Sequence, residues 1–487
     1  MSQKTAVNAP QEQPFRLNYK RTFLIGFAFF GILLLWQVYD SWCPTFLTDL
    51  FTKAIYHGEE GHQEDVQYLV GVMMALDNLA ALIMLPIFGH LSDKTHTKIG
   101  KRMPYILVGT FVCVVAFPFI PLFFYLNNLA GTIAMMAIVV FFAMMYRNPA
   151  VSLMPDMTPK PLRSKANGII NIMGYIGGAF ATVVGIVFVL SEYLGTKKNA
   201  DGTLAAHTWQ YHNIWAIEAP FLIASVLMLI SALVLFFNIK ENKIEEEMAP
   251  EMARGERYSE AATKITEDAP LSKSNRIMLW LILIAEFFWF MADNGIGTFM
   301  GNYTIYYLAA SSRSNMMNTI VGGVGSVIGF ALGGIIASKI GRKWTLVSGL
   351  SLTLAGYLLW TILNFTVLKG AAGSGSFPFV LYLIWFIKGF GMSLVHVNSY
   401  PMVVELCSNH KIGRFTGYYY AASMAAQTIT PCLLGLLLLH PKFNFGYLPV
   451  YALACLTVSF VVFLFVKNVR STKTSFKKGL ESMDAED

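Results

Sequence analysis

Residues 77–110 read D-N-L-A-A-L-I-M-L-P-I-F-G-H-L-S-D-K-T-H-T-K-I-G-K-R-M-P-Y-I-L-V-G-T. An apolar stretch carrying one acid, Asp77, runs into a short basic turn, and a second apolar stretch follows. Two hydrophobic helices reverse this tightly only where the turn meets water. The turn is formed by Gly89, Asp93, Gly100, Lys101 and Arg102. Its cations, Lys94, Lys98, Lys101 and Arg102, mark the cytoplasmic face of a membrane.

The rest of the chain has the composition this requires. Of 487 residues, 55% are hydrophobic and 13% charged, with a mean hydropathy of +0.52. A soluble protein would carry about a quarter charged residues. The net charge of +7 fits basic cytoplasmic loops. Without a soluble basic domain it gives no reason to expect nucleic acid. The five cysteines lie in or beside apolar stretches without metal spacing, which makes them small core residues. The polar start, 1–20, has no apolar signal region, so the first apolar segment is expected to be a retained signal-anchor.

A spanning helix needs about 20 mostly apolar residues. That rule gives twelve: 22–51, 67–92, 103–126, 129–155, 164–191, 214–239, 277–308, 317–339, 343–367, 377–404, 415–440 and 445–468. The fold class expected is therefore an all-α membrane protein. Its parts are an N-terminal tail (1–21), a six-helix bundle (22–239), a charged linker with at most partial helix (240–276), a second six-helix bundle (277–468) and a C-terminal tail (469–487). With the N-terminus inside, 28 of the 36 Lys and Arg fall in cytoplasmic segments. Six fall outside, and Arg147 and Lys388 lie within spans. This bias puts both termini in the cytoplasm.

The halves repeat. Trp36-x3-Asp40-x4-Thr45-Phe46 recurs as Trp289-x3-Asp293-x4-Thr298-Phe299, 253 residues later. The turn after the second helix has a counterpart at Gly334-x4-Lys339-Ile340-Gly341-Arg342-Lys343. Aligning Asp156 with Glu405 puts Arg147 on His396. Six helices return the chain to its starting face, so the repeat is parallel about an axis along the membrane normal.

A charge at mid-bilayer costs about 2.5–3.5 kcal/mol on insertion scales. Asp40, Asp77, Arg147, Glu218, Glu286, Asp293, Lys388 and His396 lie within spans and must face water or one another. Residues four apart share a helix face. Trp36 with Asp40, and Trp289 with Asp293, would each set an apolar ring beside a carboxylate: one stacks on a sugar ring, the other accepts from its hydroxyls. A competing role for these tryptophans is an interfacial aromatic belt. Asn171, Asn294 and His396 complete the residues assigned to substrate. Arg147 stays charged and is expected to hold a carboxylate, with Asp77, Asp40 and Asp293 all open as partner. Asp77 is the first choice for a coupling proton. The glycines of the fifth and eighth helices, among them Gly177 and Gly325, predict close helix packing.

The turn Gly89-x2-Ser92-Asp93-x4-Lys98-x-Gly100-Lys101-Arg102-x-Pro104 resembles the stretched loop of the glycoside–pentoside–hexuronide:cation symporters of the major facilitator superfamily. It is closest to the sucrose/proton symporter-like branch. Arg147-Asn-Pro-Ala-Val-Ser-Leu-Met-Pro-Asp156, followed by Arg163-x3-Asn167-Gly168, is similar to that branch's junction of fourth and fifth helices. The resemblance implies proton coupling at Asp156 and Arg163, or equally a gate-stabilising role. It also implies a cytoplasmic gate of Gly89, Asp93, Gly100, Lys101, Arg102, Gly341 and Arg342. Leu85 and Ala81 stand where sodium-using members carry acids, which favours a proton over sodium. Ser338 stands where an acid is expected, so the second latch should differ from the first.

The expectation is a multi-pass cell-membrane carrier, not an enzyme: a monomeric proton-coupled sugar symporter of glycosides or disaccharides, working by alternating access without cofactor or metal. Alternatives are a sugar uniporter, a cation-coupled carrier of another polar solute, and a transporter-like receptor. No H-E-x-x-H, paired Cys/His cluster or G-x-S-x-G supports an intramembrane enzyme.

Overall fold

A computed structural model describes residues 15–57, 61–194, 214–263, 273–368, 377–404, 406, 412–440 and 442–467. Cys407 and Glu405 lie outside them. Every regular element among the described residues is a helix. The first part comprises α1 (Tyr19–Tyr56), α2 (Gln67–Lys94), α3 (Met103–Ala116), α4 (Phe119–Tyr125), α5 (Leu129–Asp156), α6 (Arg163–Val187), α7 (Leu190–Leu194) and α8 (Trp215–Asn238). Next comes α9 (Glu241–Thr263). The last part comprises α10 (Lys273–Asn302), α11 (Ser312–Ile340), α12 (Arg342–Thr366), α13 (Phe379–Val404), α14 (Ile412–Leu438) and α15 (Leu448–Leu464). Among the described residues, twelve helical stretches are long and apolar enough to cross a membrane.

Local chemistry sets the ends. The Asn18 side chain accepts from Arg21 N at 3.0 Å and starts α1, and Asn128 accepts from Gly131 N at 2.8 Å and starts α5. Such caps satisfy N–H groups that a helix start leaves unpaired. The expected span 103–126 is broken at Phe117-Pro118, because proline offers no N–H to continue α3.

Packing repeats between the first six spans and the last six. Within the first set, α1 packs on α6 and α8, α3 on α5 and α8, and α2 on α5. Within the last set, α10 packs on α14 and α15, α12 on α13 and α15, and α11 on α13. The two lists are the same helix pairs six spans apart. Between the sets, α2 meets α14, α6 meets α11 and α1 meets α10. Those contacts exchange under a two-fold axis, the arrangement of two parallel six-helix repeats.

Glycines set the closeness of several pairs. Gly177 of α6 lies against the Phe30 backbone of α1, and Gly325 of α11 against the Phe386 backbone of α13. Wholly apolar surfaces gain nothing from leaving lipid, so backbone approach of this kind is what drives association.

The charged stretch after α8 is the linker expected to be partly helical. It forms a 23-residue helix, α9. Its first carboxylate, Glu241, is buried and accepts from Arg102 N at 3.0 and 3.1 Å and from Met103 N at 3.0 Å. Glu241 thereby caps the N-terminus of α3 from another element. Asn242 Nδ2 donates to Thr97 O at 3.0 Å, and Lys101 pairs with Glu245 at 3.3 Å. The apolar content is too low for α9 to hold a core of its own. These fastenings to the first set are what order it.

Candidate functional site

The basic turn organises one end of the bundle, called here the linker end. Gly100 has φ +119°, a conformation that suits glycine alone, and the Glu241 carboxylate sits against it. Arg102 is buried. It donates from Nε to Asp156 Oδ2 at 2.9 Å and from Nη1 to Ser92 Oγ at 2.5 Å, and pairs with Asp93 through Nη2. Lys101 reaches Asp156 at 3.5 Å. Burial acts to lower the Arg102 guanidinium, but Asp156 and Asp93 outweigh it and raise the group above its ordinary value. Arg163 donates to Thr158 O at 3.1 Å and to Pro155 O at 3.0 Å, which ties down the end of α5. Gly89 lies against the Asn148 side chain of α5. In the second half Gly341 has φ +88° and starts α12 with Arg342 half-buried. The Ser338 hydroxyl donates to Ile335 O at 2.7 Å, within its own helix.

Mid-depth charges form a cluster in each set. In the first, Tyr39 donates from its hydroxyl to Asp77 Oδ2 at 2.7 Å. Asp40 is exposed although its neighbours Val38, Tyr39, Trp42 and Cys43 are buried. Because α1 is surrounded by α2, α4, α5, α6, α8 and α10, an exposed residue at its middle opens onto space inside the bundle. Trp36 is half-buried on the same face, edge-to-face with Tyr39 at 5.6 Å. Asn171 of α6 is half-buried. In the second set, Asp293 pairs with Lys388 of α13. His396 packs its ring 5.6 Å from Phe290 and interacts electrostatically with Asp293. Asn294 keeps a buried amide oxygen without a partner among the described residues. Glu286 is fully buried, and neither of its oxygens has a partner among the described residues.

The open choice of partner for Arg147 narrows, and one expected site residue, Trp289, lies apart from the cluster. Arg147 makes no ion pair with Asp77, Asp40 or Asp293 among the described residues. Tyr39 occupies Asp77 and Lys388 occupies Asp293, leaving Asp40 as the carboxylate whose charge Arg147 feels. Trp289 is wholly buried and presents no face to a ligand in this conformation, because its helix turns it into the packed core. Tyr39 and Lys388 were not singled out as site residues. A lysine deep in a span, away from either end, signals that an acid must answer it.

At the opposite, far end the two sets are joined. Thr45 donates to Asn302 Oδ1 at 2.9 Å, and Asn302 Nδ2 donates to Thr48 Oγ1 at 3.0 Å and Gln67 Oε1 at 3.2 Å. Tyr306 donates to Asp49 Oδ1 at 2.7 Å. Ser191 and Ser312 exchange backbone-to-hydroxyl bonds at 3.1 and 3.2 Å. The bond nearest mid-depth runs from Asn78 Nδ2 to Gln427 O at 3.2 Å. Among the described residues, the hydrogen bonds between the sets all lie from that point toward the far end.

The whole-chain comparisons agree with this architecture. The family model described as MFS/sugar transport protein matches residues 24–447. No curated protein sequence gives a significant match. Among solved structures, the xylose transporter XylE from E. coli in an inward open conformation has a TM-score of 0.62 at 16% identity, covering 96% of this chain and 99% of that one. The POT family transporter PepTSo has a TM-score of 0.64 at 12% identity, with 92% and 97% covered. A bacterial homologue of the iron transporter ferroportin in the inward-facing state has a TM-score of 0.62 at 12% identity, with 92% and 99% covered. At such identities the likeness speaks for the fold. Twelve spans in two parallel six-helix repeats, matched along most of their length by one family, make this chain a membrane transporter of the MFS/sugar transport protein family.

Proposed function

We propose that the protein is a proton-coupled sugar symporter of the glycoside–pentoside–hexuronide type, working by alternating access in the cell membrane. The linker end lies in the cytoplasm, as the concentration of lysine and arginine there supports. With the far end bonded shut, the conformation is then inward-facing. The observation that carries the reading is the open carboxylate of Asp40 at mid-depth, flanked by Tyr39–Asp77 in one set and Asp293–Lys388 in the other.

Asp40 accepts sugar hydroxyls, with the Trp36 ring beside it as the apolar surface. Asn171 and Asn294 add amide groups. Arg147, which forms no ion pair among the described residues, is available to a hydroxyl or to Asp40. Asp293 is committed to Lys388, so a sugar reaches it by competing for that pair. Asp77 takes the coupling proton, and Tyr39 orients it. Once the cavity closes, a naked charge is costly, so protonation and sugar binding favour one another; such mutual shifts are typically about 1–3 kcal/mol. The bonds of Asp156 to Arg102 and Lys101 support a gate role for it rather than proton carriage.

The test is uptake into proteoliposomes with a panel of glycosides and disaccharides under an imposed pH gradient. The expected result is uphill accumulation of at least one sugar with proton entry. In Asp77→Asn, gradient-driven accumulation is lost while downhill exchange persists. Uphill uptake at the parental rate in Asp77→Asn removes the assignment, and downhill-only transport in the parent removes the symport reading.

A further inference from the structure

The far-end junction contains a group that the transport reading does not use. Asp49 of α1 is 4% exposed, and the one hydrogen bond it receives among the described residues crosses between the two sets, from Tyr306 to Oδ1 at 2.7 Å. Its Oδ2 is buried without a partner among the described residues. Tyr306 sits in a widened π turn, Tyr303–Tyr307, that continues α10. The ionisable groups facing Asp49 are Tyr306, Lys53 one turn along its own helix and, beyond Tyr306, Glu64 before α2. Lys53 is committed to Asn127 Oδ1 and forms no ion pair with Asp49 among the described residues.

We propose that Asp49 is a proton-binding latch: closing the far end takes up one proton from the solution on that side, and opening releases it. The physical reason is differential burial. A buried carboxylate with a single hydrogen bond carries an uncompensated charge, which is costly. When the two sets separate, Asp49 loses Tyr306 and gains water, and the charged form becomes the stable one. Closing and protonation are therefore linked, so the open-to-closed ratio rises by up to about tenfold per pH unit across the titrating range. Acid on the far side favours the closed far end, and alkali opens it. The latched proton returns to the side it came from, so it is separate from the one carried by Asp77. This inference rests on alternating access, but not on the identity of the sugar.

The experiment is hydrogen–deuterium exchange of the full-length protein over a pH series, corrected for intrinsic exchange, read at residues 61–71 and 300–312. The parent is expected to lose protection there by several-fold from mildly acidic to mildly basic pH. Asp49→Asn, which mimics the protonated acid, should hold the protected level throughout while keeping the parent's ratio of protons to sugar. Tyr306→Phe removes the cross-junction donor but leaves the acid, so it should lower far-end protection at every pH and still respond to pH. Asp77→Asn should lose coupling and keep the far-end response, which separates failure of the transport reading from failure of this one. Three results overturn the latch: a parent that does not respond, an Asp49→Asn protein that responds like the parent, or an Asp49→Asn protein whose proton-to-sugar ratio falls.

Discussion

The Asp293–Lys388 pair sets a measurable energy at the centre of the second bundle. Two opposite charges in contact attract by about 4 kcal/mol at an effective dielectric of about 20. The pair is not sealed: the side chains are 35% and 20% exposed. Water therefore screens part of that attraction, and the remainder must also cover partial desolvation. A coupling energy of about 1–3 kcal/mol follows. Lys388→Met and Asp293→Asn should each destabilise the protein, because each leaves an unpaired charge at mid-depth. The double variant should be more stable than the sum of the two losses implies. The assay is equilibrium unfolding in mixed micelles across the four-member cycle. If the single effects add to within about 0.5 kcal/mol, the two side chains do not hold one another and the pair is an accident of packing.

Further outcomes follow from the linker end and the far end. Gly100→Ala should cost about 1–3 kcal/mol, from a φ that a Cβ opposes and from collision with the Glu241 carboxylate; thermal stability of the purified protein reads it. Glu241→Ala should leave N–H groups at the start of α3 unpaired, a loss of about 1–3 kcal/mol, and expose α9 to limited proteolysis. Burial raises the Glu241 carboxyl above its ordinary value, with the N–H groups of Arg102 and Met103 pulling it part of the way back. For an acid raised in the folded state, stability is fully present below the unfolded value and is lost as pH rises through the folded one. Protease resistance of α9 should accordingly fall as pH rises through a window just above the usual glutamate range, and Glu241→Gln should flatten that fall. Gly71 of α2 packs on the Pro431 carbonyl of α14; Gly71→Val should pry the far end apart, lowering amide protection of residues 61–71 at every pH.

Helix positions were legible because lipid imposes a simple rule, a long apolar run between polar turns, and Gly100-Lys101-Arg102 announced where the chain turns. The match of Asp40 to Asp293 was likewise visible as a repeated Trp-x3-Asp. What the sequence hid was partner choice. Asp293 and Lys388 are 95 positions apart and Tyr39 and Asp77 are 38 apart, and nothing local distinguishes these pairings from the ones expected for Arg147. The two tryptophans show the same limit. Identical spacing put both on a helix face beside an acid, but which face meets the cavity depends on helix rotation, and Trp289 turned inward. The order of α9 was hidden for a related reason: its sequence looks solvated, and Glu241 finds its donors on a turn 139 positions away.

The fastening of α9 has a mechanical consequence. Its described bonds to the turn before α3 make it part of the first bundle, and nine residues separate Thr263 from Lys273. A chain of that length spans at most about 35 Å, which caps the distance between the start of α10 and the end of α9. Shortening that stretch by a few residues should restrict the stroke without touching any charge in the cavity, and lengthening it should leave the stroke unchanged.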